Sequence, residues 1–482
     1  MLALCWRRLG AAVVTSVSLA GCSPTTTQST PTDTTTAAEP WGDRPVVDLS
    51  IVMDEDLGGA RGAESIVFTP DRRICEVVFR AWPNGPTTAR EGTSLVVSSA
   101  TVDGQRVTPV ERQAGAPGGA PGTLVQLPLS SCRDEGEEVE VDLDFRLNLA
   151  ETSEERLGVD PEAEMAWFAG GFPLLAWVRE EGWARDHAVE LPGETATSED
   201  FELASMTVTA PEEYQVLGTG SPTGAEPATR SGWTEHRFEA AAVRNIAVSV
   251  GRMEVETTQA HGVRVRVGVP TAGTRVGVQD WLEAHVEYLA RLEELLGDFP
   301  YDDLSVTVTP SRMSGIESPT ALLYGDLPGR RLDGLVAHEL AHQWAYALVG
   351  NNQARHPWVD ESVATFAQAV VTGTEDDFAL EDVDDDIAGY LGYPMAYWAE
   401  QGGFGYYYEG VYEQGAAVLL AGREAVGEDR FDAALRDYLR TNAHRVSGPD
   451  QVEGAFTDLP EVEELLRDYG AFDGPPQGNP FG

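Results

Sequence analysis

Between about residue 45 and residue 255 the chain alternates apolar and polar positions in short runs, the period-two pattern of half-buried strands. Residues 46–53, 75–79, 94–97, 139–145, 206–209 and 246–250 are β-rich, and turn clusters such as Pro83-Asn84-Gly85 and Asp103-Gly104 separate them. The pattern predicts an all-β domain over residues 43–256. After about Thr257 the period lengthens. Trp281, Leu282, Tyr288, Leu289, Leu292 and Leu295 follow helical spacing in a helix expected over 276–296, with Gly297 as its stop. Strands are expected at 304–309 and 321–324, with the segment 314–318 between them. Helices are expected over 332–349, ended by Gly350, then from near Pro357, around 412–421 and around 430–440. Strands followed by helices on a mixed sheet make 257–482 an α+β domain.

The start of the chain reads as an address. Arg7 and Arg8 precede an apolar stretch, 9–21, that is too short to span a bilayer and ends in Leu19-Ala20-Gly21-Cys22. That ending resembles the bacterial lipoprotein box. It implies removal of a signal peptide at 1–21, lipid on Cys22, and attachment to the outer face of the bacterial cell membrane. Residues 22–42, rich in Thr, Ser and Pro, are expected to be a disordered tether. Cys75 and Cys132 remain as an even pair in an exported chain, which predicts a disulfide, with two buried thiols as the alternative. The 482 residues carry 79 acids and 33 bases, a net charge of −46, which excludes the basic surfaces that nucleic-acid binding requires. The acidic run 375–386 reads as a solvated loop or helix face, with an ion site or a steering field for basic peptides as alternatives.

The candidate chemistry sits in the second half. His338 and His342 of His338-Glu339-Leu340-Ala341-His342 stand four apart, so on a helix they share a face with Cβ atoms about 5–6 Å apart. Both imidazoles can then reach one ion. Glu339 is turned off their axis, placed to act on a water without occupying a coordination position. Trp358-Val359-Asp360-Glu361-Ser362 supplies a carboxylate as a third ligand, and two histidines with one carboxylate leave a fourth position open, as catalytic zinc requires. The bland alternative is a core helix holding two satisfied histidines. Val336, Leu340, Trp344 and Leu348 recur every fourth position roughly opposite the histidines, so the helix should be buried and its histidines should face a cleft. His356 lies near this site in sequence, whereas His187, His236, His261, His285 and His444 show no ligand spacing. The Gly-rich stretches lack a phosphate-binding pattern, and no Ser/His/Asp arrangement stands out.

Four stretches together resemble the aminopeptidase N family of gluzincin zinc metallopeptidases, over about residues 260–445. They are His338 to Trp344, Trp358 to Glu361, Gly315-Ile316-Glu317-Ser318-Pro319 and Tyr412-Glu413-Gln414-Gly415. The resemblance implies a thermolysin-like peptidase domain behind a saddle-shaped β domain. It implies one Zn2+ on His338, His342 and Glu361, and peptide substrates. Glu339 becomes the general base, and Tyr412 the oxyanion donor, with Tyr407 and Tyr408 as alternatives. Glu317 and Gly315 lie on the strand that recognises a free amino terminus. Ile316, Ser318 and Gln414 depart from the family pattern, and no segment of the β region matches the one that helps grip the amino terminus. Residues 167–183, with Gly170-Gly171-Phe172-Pro173, occupy roughly its place. An endopeptidase, or a non-catalytic surface binding module with a structural metal, therefore stays open beside the aminopeptidase. Preferred terminal residue and oligomeric state are not written in these motifs.

Overall fold

The computed structural model describes residues 37–151, 156–191, 198–472 and 474. The expected signal peptide, Cys22 and most of the expected tether lie outside the described residues.

The first half is built from strands. The strand Val46–Met53 lies inside an eight-stranded sheet, antiparallel to Gly59–Phe68 and parallel to Phe201–Pro211. Its alternation is read directly as burial, since Val47, Leu49, Ile51 and Met53 all point inward. Two four-stranded sheets pack behind it, and the inward faces meet in one core that includes Phe68, Phe79, Phe145 and Phe168. Cys75 and Cys132 are joined by a disulfide between the paired strands Ile74–Arg80 and Leu124–Arg133. Several strands run longer than their periodicity indicates. Ser94–Val102 continues past Val97 because a bulge between Val97 and Ser99 resets which residues face inward, so Ala100 and Val102 follow Leu95 into the core.

The second half is a five-stranded mixed sheet overlaid by helices. Its strand order is Met253–Ala260, Val263–Pro270, Asp303–Thr309, Ala321–Gly325 and, at the edge, Gly315–Ile316. The edge strand is antiparallel to its neighbour, with Gly315 opposite Tyr324. The helix Val278–Leu296 buries Trp281, Leu282, Tyr288, Leu289, Leu292 and Leu295, and the chain leaves it through Gly297 at φ +101°. This half has its own core, reaching from Val263 to Ala471. A small apolar cluster bridges the two halves. Trp167, Ala169 and Ala247 from the β half meet Met313, Ile316, Ala321 and Leu323 beside the edge strand. Ile316, a departure from the family pattern, is thus the residue through which the edge strand packs on the β half.

Two expected elements are corrected. The helix carrying His338 spans Leu332–Ala341 and does not continue to 349. Past it, the amides of Ala347, Leu348 and Val349 bond back five residues to the carbonyls of His342, Gln343 and Trp344, closing a wide turn in place of α-helical bonds. Tyr346 adopts φ +126° there, and Arg244 from the β half donates to the Ala347 and Leu348 carbonyls at 3.2 and 3.4 Å. Arg244 is itself paired with buried Asp200 at 2.7 Å. The apolar repeat continues across this turn because residues 336–350 are all buried, in the last turns of the helix and in the wide turn alike, so periodicity carries no boundary. A second correction concerns residues 412–421. Tyr408–Glu413 is one π-helical stretch and an α-helix, Gln414–Val426, follows.

Candidate metal centre

The short His338 helix brings His338 and His342 to one face, with ring centroids 4.9 Å apart. The helix Trp358–Thr372 begins directly after Pro357, a residue suited to a helix start, and carries Glu361 in its first turn. The two helices pack together, and Nε2 of His338, Nε2 of His342 and Oε2 of Glu361 form a triangle with edges of 3.2, 3.3 and 3.4 Å. A tetrahedral ion bonded at about 2.0–2.1 Å sets its ligands about 3.3–3.4 Å apart, so the triangle fits such an ion without rearrangement. Among the described residues this is the group of three or more metal-ligating side chains whose donor atoms all lie within 4.8 Å of one another.

Two further details support the fit. His342 Nδ1 lies 2.9 Å from the Ala345 carbonyl, which only an Nδ1–H can satisfy. In the neutral ring, Nε2 then keeps its lone pair, so the wide turn after the helix selects the tautomer a ligand needs. Glu361 Oε2 is buried and accepts no hydrogen bond. Burial opposes charge on Glu361, but His342 and His338 outweigh it and hold the carboxyl well below the usual carboxylate range.

Glu339 faces the same space from the His338 helix. It is buried, and its Oε2 has no hydrogen-bond partner. Burial, reinforced by the charge of Glu317, pushes its carboxyl well above the usual range, while His342 and Arg156 oppose the shift. Gly315 makes room for it, because a Cβ there would stand 2.2 Å from Glu339 Oε1. Gly315→Ala is therefore expected to displace the Glu339 carboxylate, lowering kcat about tenfold or more while the melting temperature moves by only a few degrees. Steady-state rates alongside thermal unfolding test this, and an unchanged kcat would show that the carboxylate does not need that position.

Glu317 follows Ile316 at the end of the edge strand, buried, and accepts a hydrogen bond from Gln353 Nε2 at 3.3 Å. The same Gln353 nitrogen donates to Asp360 Oδ2 at 2.9 Å, so one side chain ties Glu317 to the segment bearing Glu361. Gln343 anchors the edge-strand loop, accepting from the Thr320 amide at 2.8 Å and donating to the Ser318 carbonyl at 3.1 Å.

Tyr412 donates from its hydroxyl to Glu361 Oε1 at 2.6 Å, and its ring stacks on His338 with centroids 5.7 Å apart. The π-helical stretch aims it there. Ser362 bonds the Val411 carbonyl at 2.8 Å and Gln414 bonds that of Gly410, also at 2.8 Å. Gly415 permits this close approach, since a Cβ at that position would lie 1.9 Å from Ser362 Oγ. Of the two alternatives, Tyr407 is buried behind Tyr412 and Tyr408 is partly exposed outside it. Tyr412 is the one whose hydroxyl bonds the carboxylate of the triangle.

The remaining histidines stay apart from the triangle. His285 is buried between the Trp281 carbonyl and the Tyr324 hydroxyl, His444 pairs with Asp200 at 2.6 Å, and His261 with Glu293 at 3.1 Å. The ring of His356 is not part of the cluster, and burial, followed by the charge of Arg355, lowers its pKa to about 4. Three contributors carried no sequence signal. Gln353 sits in an aperiodic polar run, Asp360 is one residue from Glu361, and Arg156 is a buried cation of the β half whose charge acts on Glu339.

No family model matches the chain. It is 24% identical over 306 residues to an aminopeptidase N from Haemonchus contortus, an alignment covering 56% of this chain and 30% of that protein. The chain thus spans less than a third of the length of the curated relative it matches. Among solved structures, an M1 zinc metallopeptidase from Deinococcus radiodurans superposes with a TM-score of 0.62 at 19% identity, over 89% of this chain and 94% of that one. A mutant of an M1 zinc metallopeptidase from that organism, bound to a Tyr-Ser-Ala substrate, gives 0.66 at 18% identity over 89% and 94%. The fold is that of the two-domain M1 metallopeptidases, here a β-rich half followed by an α+β half.

Proposed function

We propose that the protein is a zinc-dependent aminopeptidase. The observation that carries the reading is the 3.2–3.4 Å triangle of two imidazole nitrogens and one carboxylate oxygen, with Glu339 and Tyr412 on its rim. His338, His342 and Glu361 would hold the ion, and a donor set of two nitrogens and one oxygen with an open position suits zinc. A zinc ion bound there supplies a Lewis acid that polarises a carbonyl and makes water acidic enough to lose a proton near neutral pH.

The chain's own residues do the rest. Glu317 takes the ammonium of the substrate's first residue and sets the register, so that one residue leaves per cut. Glu339 accepts the proton of the attacking water and delivers it to the nitrogen of the broken peptide bond. The Tyr412 hydroxyl exchanges its bond to Glu361 for one to the oxygen that gains charge as the carbonyl is attacked. Burial of Glu339 and Glu361, with Tyr412 half-buried beside them, keeps these exchanges out of bulk water.

The reading is tested by comparing free and blocked substrates. Glu317→Ala should raise KM about tenfold or more for peptides with a free amino terminus, the scale of losing one buried charge-assisted pair. N-acetylated peptides should be poor substrates for both forms. Equal loss on free and blocked peptides would remove Glu317 from amine recognition and favour an endopeptidase.

We further propose that Cys22 carries lipid and holds the protein at the outer face of the bacterial cell membrane, on the strength of Leu19-Ala20-Gly21-Cys22 after a basic and apolar start. Radiolabelled palmitate should enter the wild-type protein and not Cys22→Ala. Label retained by the variant would discard the anchor.

A further inference from the structure

Phe404, Tyr406 and Tyr408 are the large hydrophobic side chains left open to water among the described residues, at 43, 38 and 39 % exposed. A lone exposed ring is ordinary, but Phe404 and Tyr408 lie against one another, and a pair of exposed rings forms a patch of the kind that marks a binding surface. The patch is continuous with the metal centre. A file of rings runs outward from His338 to Tyr412 at 5.7 Å, from Tyr412 to Tyr408 at 5.1 Å, and from Tyr408 to Phe404 at 6.2 Å.

The direction of that file decides what it meets. Glu317 and its loop are anchored by Gln343, beyond the C-terminal end of the His338 helix. The ring file leaves from the other side, because Tyr412 stacks on His338, the histidine one turn nearer the start of that helix. His338 and His342 lie between. A peptide with its ammonium at Glu317 and its first carbonyl at the metal centre therefore extends its remaining residues toward Tyr408 and Phe404.

We infer that Phe404 and Tyr408 form a specificity wall for the residue that follows the cleaved bond, favouring peptides in which that residue is aromatic or large and aliphatic. The inference rests on the aminopeptidase reading, and on Glu317 as the amine site in particular.

The test uses the zinc-loaded full chain with two dipeptides, alanyl-phenylalanine and alanyl-glycine, and reads the ratio of their kcat/KM values. The wild type should prefer the first by about tenfold or more, the scale of filling an apolar subsite. In Phe404→Ala and in Tyr408→Ala, measured separately, that ratio should fall about threefold or more. Phe404→Ala is the safer variant, because its ring does not pack on Tyr412. A wild-type ratio near one overturns the inference while leaving the aminopeptidase reading intact, and so does a ratio unchanged in both variants. If the variants instead dissolve a dimer seen by sedimentation, with the ratio unchanged, the patch is a self-association surface and the inference fails. Cleavage of neither dipeptide overturns both readings together.

Discussion

Replacing Glu339 by glutamine is expected to leave one zinc bound per chain and to lower kcat by about 10²–10⁴, the range that a positioned proton-transfer group contributes. The two side chains have the same shape, so the space provided by Gly315 and the packing of the buried His338 helix are preserved. What is lost is the capacity to take a proton. The ligand triangle does not involve Glu339, so metal content should not change. Atomic emission on the dialysed protein, with steady-state hydrolysis of an aminoacyl-coumarin, gives both readings from one preparation. A rate within a few-fold of wild type would remove Glu339 from the mechanism. Loss of zinc would instead make it part of the metal's support.

The second large effect is expected at Tyr412. Phenylalanine keeps the ring stacked on His338 and against Tyr408 but removes the hydroxyl that bonds Glu361 Oε1 at 2.6 Å. Losing one fixed donor to a developing oxyanion should cost about 10²–10³ in kcat with a much smaller change in KM, because the interaction forms only as the carbonyl is attacked. Tyr407→Phe should cost far less, since that ring is buried behind Tyr412. Full kinetic curves for the two variants separate the roles. A larger loss at Tyr407 would transfer the donor role to it. A loss confined to KM would make Tyr412 a substrate-binding group without a part in the chemistry.

Much of the site was legible in the sequence because its parts are local. His338 and His342 meet through the helical period alone, and Glu361 reaches them because a helix starts right after Pro357. The disulfide followed from an even pair of cysteines in a chain that reads as exported, and the order of β and α+β halves from the change of period near Thr257. The missing parts depend on contacts between distant segments. The His338 helix ends at Ala341 because the following turn satisfies its carbonyls and Arg244 fixes that turn from the other half of the molecule. An apolar repeat through a wholly buried segment cannot mark such an end. The π-helical placement of Tyr412 depends on Ser362 and on the absence of side chains at Gly410 and Gly415, whose neighbours are Trp398 and Ser362. Gln353 bonds Glu317 from an aperiodic loop and the charge of Arg156 acts on Glu339 from the β half, and nothing in their local sequence points there.

The central claim is that two imidazoles and one carboxylate converge on a single ion. Anomalous scattering at the zinc edge from crystals of the zinc-loaded protein tests it most directly. The account predicts one strong peak about 2.0–2.2 Å from His338 Nε2, His342 Nε2 and a Glu361 carboxylate oxygen, with the fourth side facing Glu339. A peak seated between the imidazoles but beyond bonding range of Glu361, or one closed off by a fourth protein ligand, would contradict it.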